Sequence, residues 1–138
     1  MSPKSTSRRR VGRHRARDYW QVATHLMESA RALLALGDEE YSNAIGICLI
    51  HATISANDSI TITTAEVRSS NERHADAQRL LQEVVPEVPA IVLRAFGAVI
   101  QAKFEYEYSG EVITLSTAKR LFVKAERFYK WAADLVGR

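Results

Sequence analysis

One pair of residues, Arg68 and His74, has a spacing suited to chemistry on a phosphodiester. A guanidinium can hold the phosphate while an imidazole transfers a proton, and metal-free RNA cleavage uses such a pair. The two residues fall in a segment predicted to be a loop between helices, where a solvated loop with no catalytic role is the alternative. We favour the solvated loop, so no catalytic residue is assigned, and Arg68 with His74 remains the alternative.

A second polar pair, Asn57 and Asp58, interrupts the apolar segment from Ile45 to Ile62. An ionised carboxylate buried without a partner costs several kcal/mol, so Asp58 must be hydrogen-bonded, ion-paired or directed at an interface. We expect a structural role for both residues, with Asp58 bonded to a neighbouring helix. The histidine in the same segment, His51, is expected to be a core histidine.

The N-terminal tail, residues 1–17, is strongly basic. It carries seven of the 19 Lys and Arg residues and none of the 16 Asp and Glu, which leaves 12 basic against 16 acidic residues in the remainder, a net charge of −4. Because the tail has almost no apolar side chains, we expect it to be disordered when alone. Its arginines and Trp20 of the first helix are predicted to bind an acidic partner or nucleic acid. The arginines are Arg8, Arg9, Arg10, Arg13, Arg15 and Arg17.

The remainder, residues 18–138, is predicted to form one helical domain, an all-α antiparallel bundle of four to five helices. Apolar residues recur at helical spacing in five segments, bounded by capping and breaking residues. These segments are Asp18–Leu36, a second from Ser42 or Asn43 that fades between Val67 and Asn71, a third ending at Val85, a fourth from Pro89, and a last from Thr114 or Ser116 to the terminal Gly137.

Two segments have strand-like alternatives. The β-branched run Ile60–Thr64 also suits a strand. Aromatic residues alternate with glutamates around Phe104–Tyr108, and the following Ser109-Gly110 could turn a hairpin. We prefer helices in both, since a lone two-stranded hairpin is marginal.

The composition argues against several kinds of site. The single cysteine, Cys48, excludes an internal disulfide and is expected to be an inert core thiol. His14 and His25 have no acidic or histidine companion at ligand spacing, so no metal and no cofactor is expected. No run reaches the roughly 18 uninterrupted apolar residues of a membrane span, and the basic N-terminus lacks a signal-like apolar segment. We therefore expect a soluble, cytoplasmic protein with no membrane partner.

Two segments carry a resemblance to a known family: ATISANDSIT, which contains Asn57-Asp58, and STAKRLFVKAERFYKWA, which begins at Ser116. Over roughly residues 18–136 the chain resembles the HEPN-like helical proteins of bacteria. The resemblance implies a four-helix bundle that dimerises and a place in toxin–antitoxin or phage-defence modules. Some members are ribonucleases with an Arg-x4-6-His motif, but the corresponding stretch here, Lys103–Tyr108, has no histidine and carries glutamates instead.

The resemblance and the residues together predict a non-enzymatic interaction protein. HEPN-like proteins are often paired with minimal nucleotidyltransferases, and a bundle without a convincing active site suits the neutralising member. The leading hypothesis is thus an antitoxin that binds a nucleotidyltransferase-type toxin, itself, or both. The alternatives are a HEPN ribonuclease toxin using Arg68 and His74, and an accessory protein that binds RNA or DNA through the tail.

Overall fold

The structure, a computed structural model, describes residues 8–70 and 74–136, except for the side chains of residues 74 and 75. Five helices hold most of these residues, which confirms the predicted all-α class. They are α1 (Ala16–Leu36), α2 (Ser42–Ala65), α3 (His74–Val84), α4 (Ala90–Glu107) and α5 (Leu115–Val136). Two short strands, β1 (Arg8–Arg10) and β2 (Val67–Ser69), pair in an antiparallel sheet.

The connection from α1 to α2 follows local rules. Gly37 adopts a left-handed conformation, φ 66°, and its N–H bonds to the Leu34 carbonyl, which ends α1 where the sequence predicted. The Asp38 side chain then accepts a hydrogen bond from the Glu40 N–H, at 2.9 Å, and starts a short 3-10 turn that leads into α2.

Helix α2 is the central element of the bundle and packs against each of the other four helices. It is buried over most of its circumference, including Ile60 and Ile62, so the strand alternative for Ile60–Thr64 is wrong. A helix satisfies its own backbone hydrogen bonds, whereas a buried strand there would need a neighbouring strand on at least one side. The helix ends at Ala65 because Glu66 turns left-handed, with φ 55°.

The N-terminal residues differ from the predicted disordered tail. Strand β1 pairs with β2 so that Arg9 lies opposite Arg68, and the Val11 N–H bonds to the Glu66 carbonyl at 2.9 Å. A 3-10 turn, Arg13–Arg15, follows and leads directly into α1, which begins two residues before the predicted Asp18. We call residues 8–15 the arm. Residues 1–7 of the predicted tail lie outside the described residues.

The second half of the chain follows the proline and glycine signals. Helix α3 ends before Pro86, and Pro89 caps α4, as predicted. Helix α4 continues to Glu107, so Phe104–Tyr108 is a helix end and the hairpin alternative is wrong. Helix α5 begins at Leu115, between the two predicted starts, and buries one apolar face that includes Leu121 and Phe128.

Helix α2 also accounts for the single membrane-like feature of the described residues. The stretch Glu39–Ala65 is long and apolar enough to cross a membrane, but most of it is buried inside the bundle. This burial is consistent with the core helix of a soluble protein.

Candidate functional site

The Asp58 carboxylate lies near the C-terminal end of α2 and is 6% exposed. Its Oδ2 atom is 3.8 Å from Nε of Arg68 in β2. Burial raises the pKa of Asp58 to about 7, and the Arg68 guanidinium offsets part of this rise. A cation therefore approaches Asp58, but it comes from a strand and not from a neighbouring helix, and at 3.8 Å the contact is an ion pair and not the predicted hydrogen bond.

Arg68 makes two further contacts with α1. Its Nη1 donates to the Tyr19 hydroxyl at 3.3 Å, and its guanidinium lies 5.7 Å from the centroid of the Tyr19 ring. Beside this group, the Ser59 hydroxyl donates to the Ala16 carbonyl at 2.8 Å, which joins α2 to the start of α1. We call Tyr19, Asp58 and Arg68 the Asp58 cluster; it links α1, α2 and β2.

Asn57, the neighbour of Asp58, is also buried. Its Oδ1 atom has no hydrogen-bond partner among the described residues. A buried amide oxygen without a partner costs roughly 1–3 kcal/mol. The Nε atom of Arg68 in the same region also has no hydrogen-bond partner among the described residues.

The candidate catalytic pair is only partly described. Arg68 lies in β2, and α3 begins at His74, whose side chain is outside the described part of the structure. The Arg68 guanidinium is directed at Asp58 and Tyr19, so in this arrangement it is held by groups of its own chain. A phosphate would have to compete with a buried carboxylate for it.

Most arginines of the predicted binding tail form ion pairs within the chain. Arg8 pairs with Glu83 of α3, and Arg15 pairs with Asp18 at 3.3 Å. Arg10 and Arg13 both approach the Glu66 carboxylate, at 3.7 and 3.8 Å, and the Arg13 Nε donates to the Thr63 carbonyl at 2.8 Å.

Two arginines of that set, Arg9 and Arg17, are exposed and have no ion pair among the described residues. They are the members of the predicted tail that remain available to an external ligand.

Trp20, the aromatic member of the predicted binding set, contributes to the fold. Its ring stacks on Tyr129 of α5, with centroids 4.8 Å apart and planes 13° apart. The Tyr129 hydroxyl is 2.8 Å from the Thr24 hydroxyl one turn further along α1. Trp20 lies off the main apolar stripe of α1 because it faces α5.

A surface that the sequence analysis missed lies at the opposite end of α2. Four large apolar side chains are exposed there, and we call them the apolar patch: Ile47 (37% exposed), Phe104 (62%), Tyr108 (62%) and Val112 (87%). Phe104 and Tyr108 are one turn apart on α4, with ring centroids 6.4 Å apart. This i, i+4 spacing off the buried face of α4 was the available sequence signal.

Polar contacts hold the members of the apolar patch at one end of the bundle. The Asn43 side chain donates to the Glu111 carbonyl at 3.0 Å and accepts from the Ile113 N–H at 2.9 Å, so it fixes the backbone on both sides of Val112. Asn43 lies one turn before Ile47 on α2. The patch thus combines the start of α2, the end of α4 and the connection to α5.

His51, one turn after Ile47, joins the same region to α4. Its Nε2 is 3.0 Å from the Glu107 Oε1, within ion-pair distance but without the alignment of a hydrogen bond. Lys103 approaches the other Glu107 oxygen at 4.0 Å. The imidazole is exposed, so the prediction of a core histidine was wrong: His51 lies on the face of α2 that the other helices leave open.

A close approach of α4 to α2 supports this end from inside. The Tyr106 ring lies directly against Gly46, where a Cβ atom would overlap three ring carbons. A glycine is required here to let the ring pack against the α2 backbone.

Within the described residues, no group of three or more His, Cys, Asp or Glu side chains is placed to hold a metal ion. Cys48 is half-buried, and burial raises the pKa of its thiol, which keeps it protonated and unreactive. Comparison of the chain with family models, curated proteins and solved structures found no match.

Proposed function

We propose that this protein is a non-enzymatic interaction protein, and specifically the antitoxin that binds and neutralises a nucleotidyltransferase-type toxin. The observation that carries the proposal is the apolar patch. Large apolar side chains that stay exposed at one end of a protein are candidates for a surface that a partner covers. Aromatic residues are enriched at protein interfaces, and the patch contains two, Phe104 and Tyr108.

The surroundings of the patch indicate the charge of the partner. Glu105 and Glu111 are exposed beside it, and Glu107 lies at its border with His51. A rim of this sign favours a partner with basic side chains around an apolar contact, because complementary charges speed association and exclude other partners.

One further observation supports a binding role over catalysis: the Arg68 guanidinium is approached by Asp58 and bonded to Tyr19. Most arginines of the arm are paired within the chain, which favours the apolar patch over the arm as the binding surface. The assignment of the partner as a nucleotidyltransferase rests on the resemblance to HEPN-like proteins.

The test is co-expression with a minimal nucleotidyltransferase encoded by the neighbouring gene. We expect the wild type to restore growth and to co-elute with the toxin on size exclusion. Phe104→Glu should weaken the complex by at least about tenfold, since a charge buried in an apolar contact costs more than 1.4 kcal/mol. Leu36→Glu is the matched control, because Leu36 is 63% exposed on α1 and lies outside the patch.

Three outcomes would overturn the proposal. The wild type could fail to bind or to neutralise the neighbouring toxin. Leu36→Glu could lose binding as fully as Phe104→Glu, which would remove the patch from the explanation. Finally, RNA cleavage by the wild type that disappears in His74→Ala would establish the ribonuclease alternative.

Self-association of the chain through the apolar patch is the second candidate function. Light scattering of the chain alone distinguishes the two cases, because a homodimer through the patch would dissociate on Phe104→Glu and persist in Leu36→Glu. A wild type that is monomeric both alone and with its genomic neighbour would contradict the proposal in either form.

A further inference from the structure

The cations on the exposed face of α5 differ from most of those in the arm because they lack ion pairs. Lys119, Arg120, Lys124 and Arg127 are all exposed, and none forms an ion pair among the described residues. The acid on the same stretch, Glu126, is directed to Arg31 and Lys130, at 3.2 and 3.4 Å. This part of α5 therefore keeps about four unneutralised positive charges.

The cations border a groove between α4 and α5. The groove has a volume of about 310 Å³, with Arg120 and Lys124 on its α5 side and Gln101 and Glu105 on its α4 side. Arg120 also borders a second hollow of about 480 Å³ next to Lys119, so the two hollows adjoin.

Helix periodicity extends the basic surface along the groove. Arg120, Lys124 and Arg127 follow one another at i, i+4 and i+7, and therefore form one row on α5. Arg94 stands four residues before the groove-lining Ala98 of α4 and is exposed without an ion pair in the described residues. Glu105 is the opposing charge, and it lies at the end of the groove remote from Arg94.

A buried hydroxyl without a hydrogen-bond partner lies beneath the groove. Tyr106 lines the groove and is almost wholly buried, and its hydroxyl has no partner among the described residues. Burial and the Glu105 carboxylate raise the pKa of Tyr106 to about 12, and the Arg120 guanidinium offsets part of this rise, so the hydroxyl stays protonated. The Arg120 guanidinium is already oriented by the Ser116 and Thr117 hydroxyls, each at 3.1 Å.

We propose that the α4–α5 groove binds the phosphodiester backbone of a single-stranded nucleic acid. The row from Arg120 to Arg127 spans roughly 10 Å at the helical rise and presents three cations, so it can contact consecutive phosphates of one strand. A row of regularly spaced cations is complementary to the regularly spaced phosphates of a nucleic-acid strand. Contacts with the phosphate backbone do not depend on the base sequence. This places nucleic-acid binding on α5 and not on the N-terminal tail, and it goes beyond the proposed binding of a toxin.

The test is fluorescence anisotropy with a labelled oligouridylate RNA of about 12 nucleotides, within the range of single-strand site sizes. Arg120→Gln with Lys124→Gln removes the two cations that line the groove, and Arg9→Gln with Arg17→Gln removes two charges from the N-terminal segment as the matched control. We expect the groove variant to bind about tenfold more weakly and to lose about 1.4 from the log–log salt slope, at roughly 0.7 per phosphate. The control should remain within about twofold of the wild type.

Each other result would overturn the proposal. Equal losses of RNA affinity in the two double variants would mean that net charge alone attracts the RNA. A larger loss of affinity in the control variant would place the binding site in the N-terminal segment. Failure of the wild type to bind at low salt would exclude the site. Tighter binding of poly-glutamate than of RNA would identify an acidic polypeptide as the ligand. As a control for folding, the melting temperatures of all variants are measured and should be equal.

Discussion

The two ends of helix α2 differ in which side chains contact partners within the chain and which stay exposed. Near its C-terminal end, the buried carboxylate of Asp58 is approached by Arg68, and the arm is attached next to it through strand pairing and ion pairs. Near its N-terminal end, Ile47 belongs to a patch whose largest side chains remain more than half exposed. At the C-terminal end of α2 the charged side chains approach partners within the chain, whereas at the N-terminal end large apolar side chains stay exposed.

The difference bears on where the proposed partner would bind. A partner at the Asp58 cluster would have to break existing contacts, while one at the apolar patch would add contacts and release ordered water. Both ends depend on close packing against α2, so substitutions at either end should change the stability of the protein.

The largest effect is expected at Gly46, which supports the apolar patch from inside. Gly46→Ala places a Cβ atom in the Tyr106 ring, and overpacking of this kind should lower the free energy of unfolding by about 3 kcal/mol. Chemical denaturation measures the change.

Gly97→Ala on α4 is the matched control, because its Cβ would be 3.5 Å from the nearest Gln78 atoms, an ordinary contact. Alanine is the better helix former, so this variant should gain up to about 1 kcal/mol. Equal stability of the two alanine variants would contradict the close packing of Tyr106 on α2.

A pH-dependent effect of comparable size is expected at Asp58. Since burial raises its pKa from 3.8 to about 7, the folded protein holds this proton more tightly than the unfolded chain does. The resulting stability is fully present below pH 4 and is lost as the pH rises through 7, at up to about 1.4 kcal/mol per pH unit. Asp58→Asn should remove this contribution.

Thermal or chemical unfolding from pH 4.5 to 7.5 measures the difference between wild type and Asp58→Asn. Asp134→Asn, at an exposed carboxylate of α5, controls for the loss of one charge. A difference that stays constant over the whole range would mean that Arg68 keeps Asp58 ionised throughout, and that pairing outweighs burial.

The smallest effect is expected at the ion pair between Arg8 and Glu83, which attaches β1 to α3. Both side chains are more than a third exposed, so a double-mutant cycle with alanine should give a coupling energy of at most about 1 kcal/mol. The coupling should disappear in 1 M salt. A coupling of several kcal/mol would show that the arm is essential to the stability of the bundle.

The helices were predictable because their signals are local. Gly37 ends α1 and Pro89 caps α4 through conformational preferences that act within one turn, and the apolar periodicity of α5 predicted its buried face. The requirement for a partner at Asp58 was also predictable, since the cost of burying a carboxylate does not depend on the fold.

The partners themselves were not predictable from local patterns. The arm pairs with β2 across about sixty residues of chain, and composition alone suggested a disordered tail because it describes a segment without its neighbours. The exposure of Phe104 and Tyr108 had the same origin: an aromatic residue at a helix end is buried or exposed according to which helix lies beside it.

Sequence patterns were sufficient to predict the helical class, most helix ends and the need for a partner at Asp58. The packed fold was needed to show that Arg68 approaches that carboxylate and that the basic arm is held by Glu66 and Glu83. It was also needed to show that several cations of α5 have no ion pair among the described residues and lie beside a groove. The physical reason is range. Helix propensity and capping act over about four residues, whereas ion pairs, exposed patches and grooves depend on which distant elements the packing of α2 brings together.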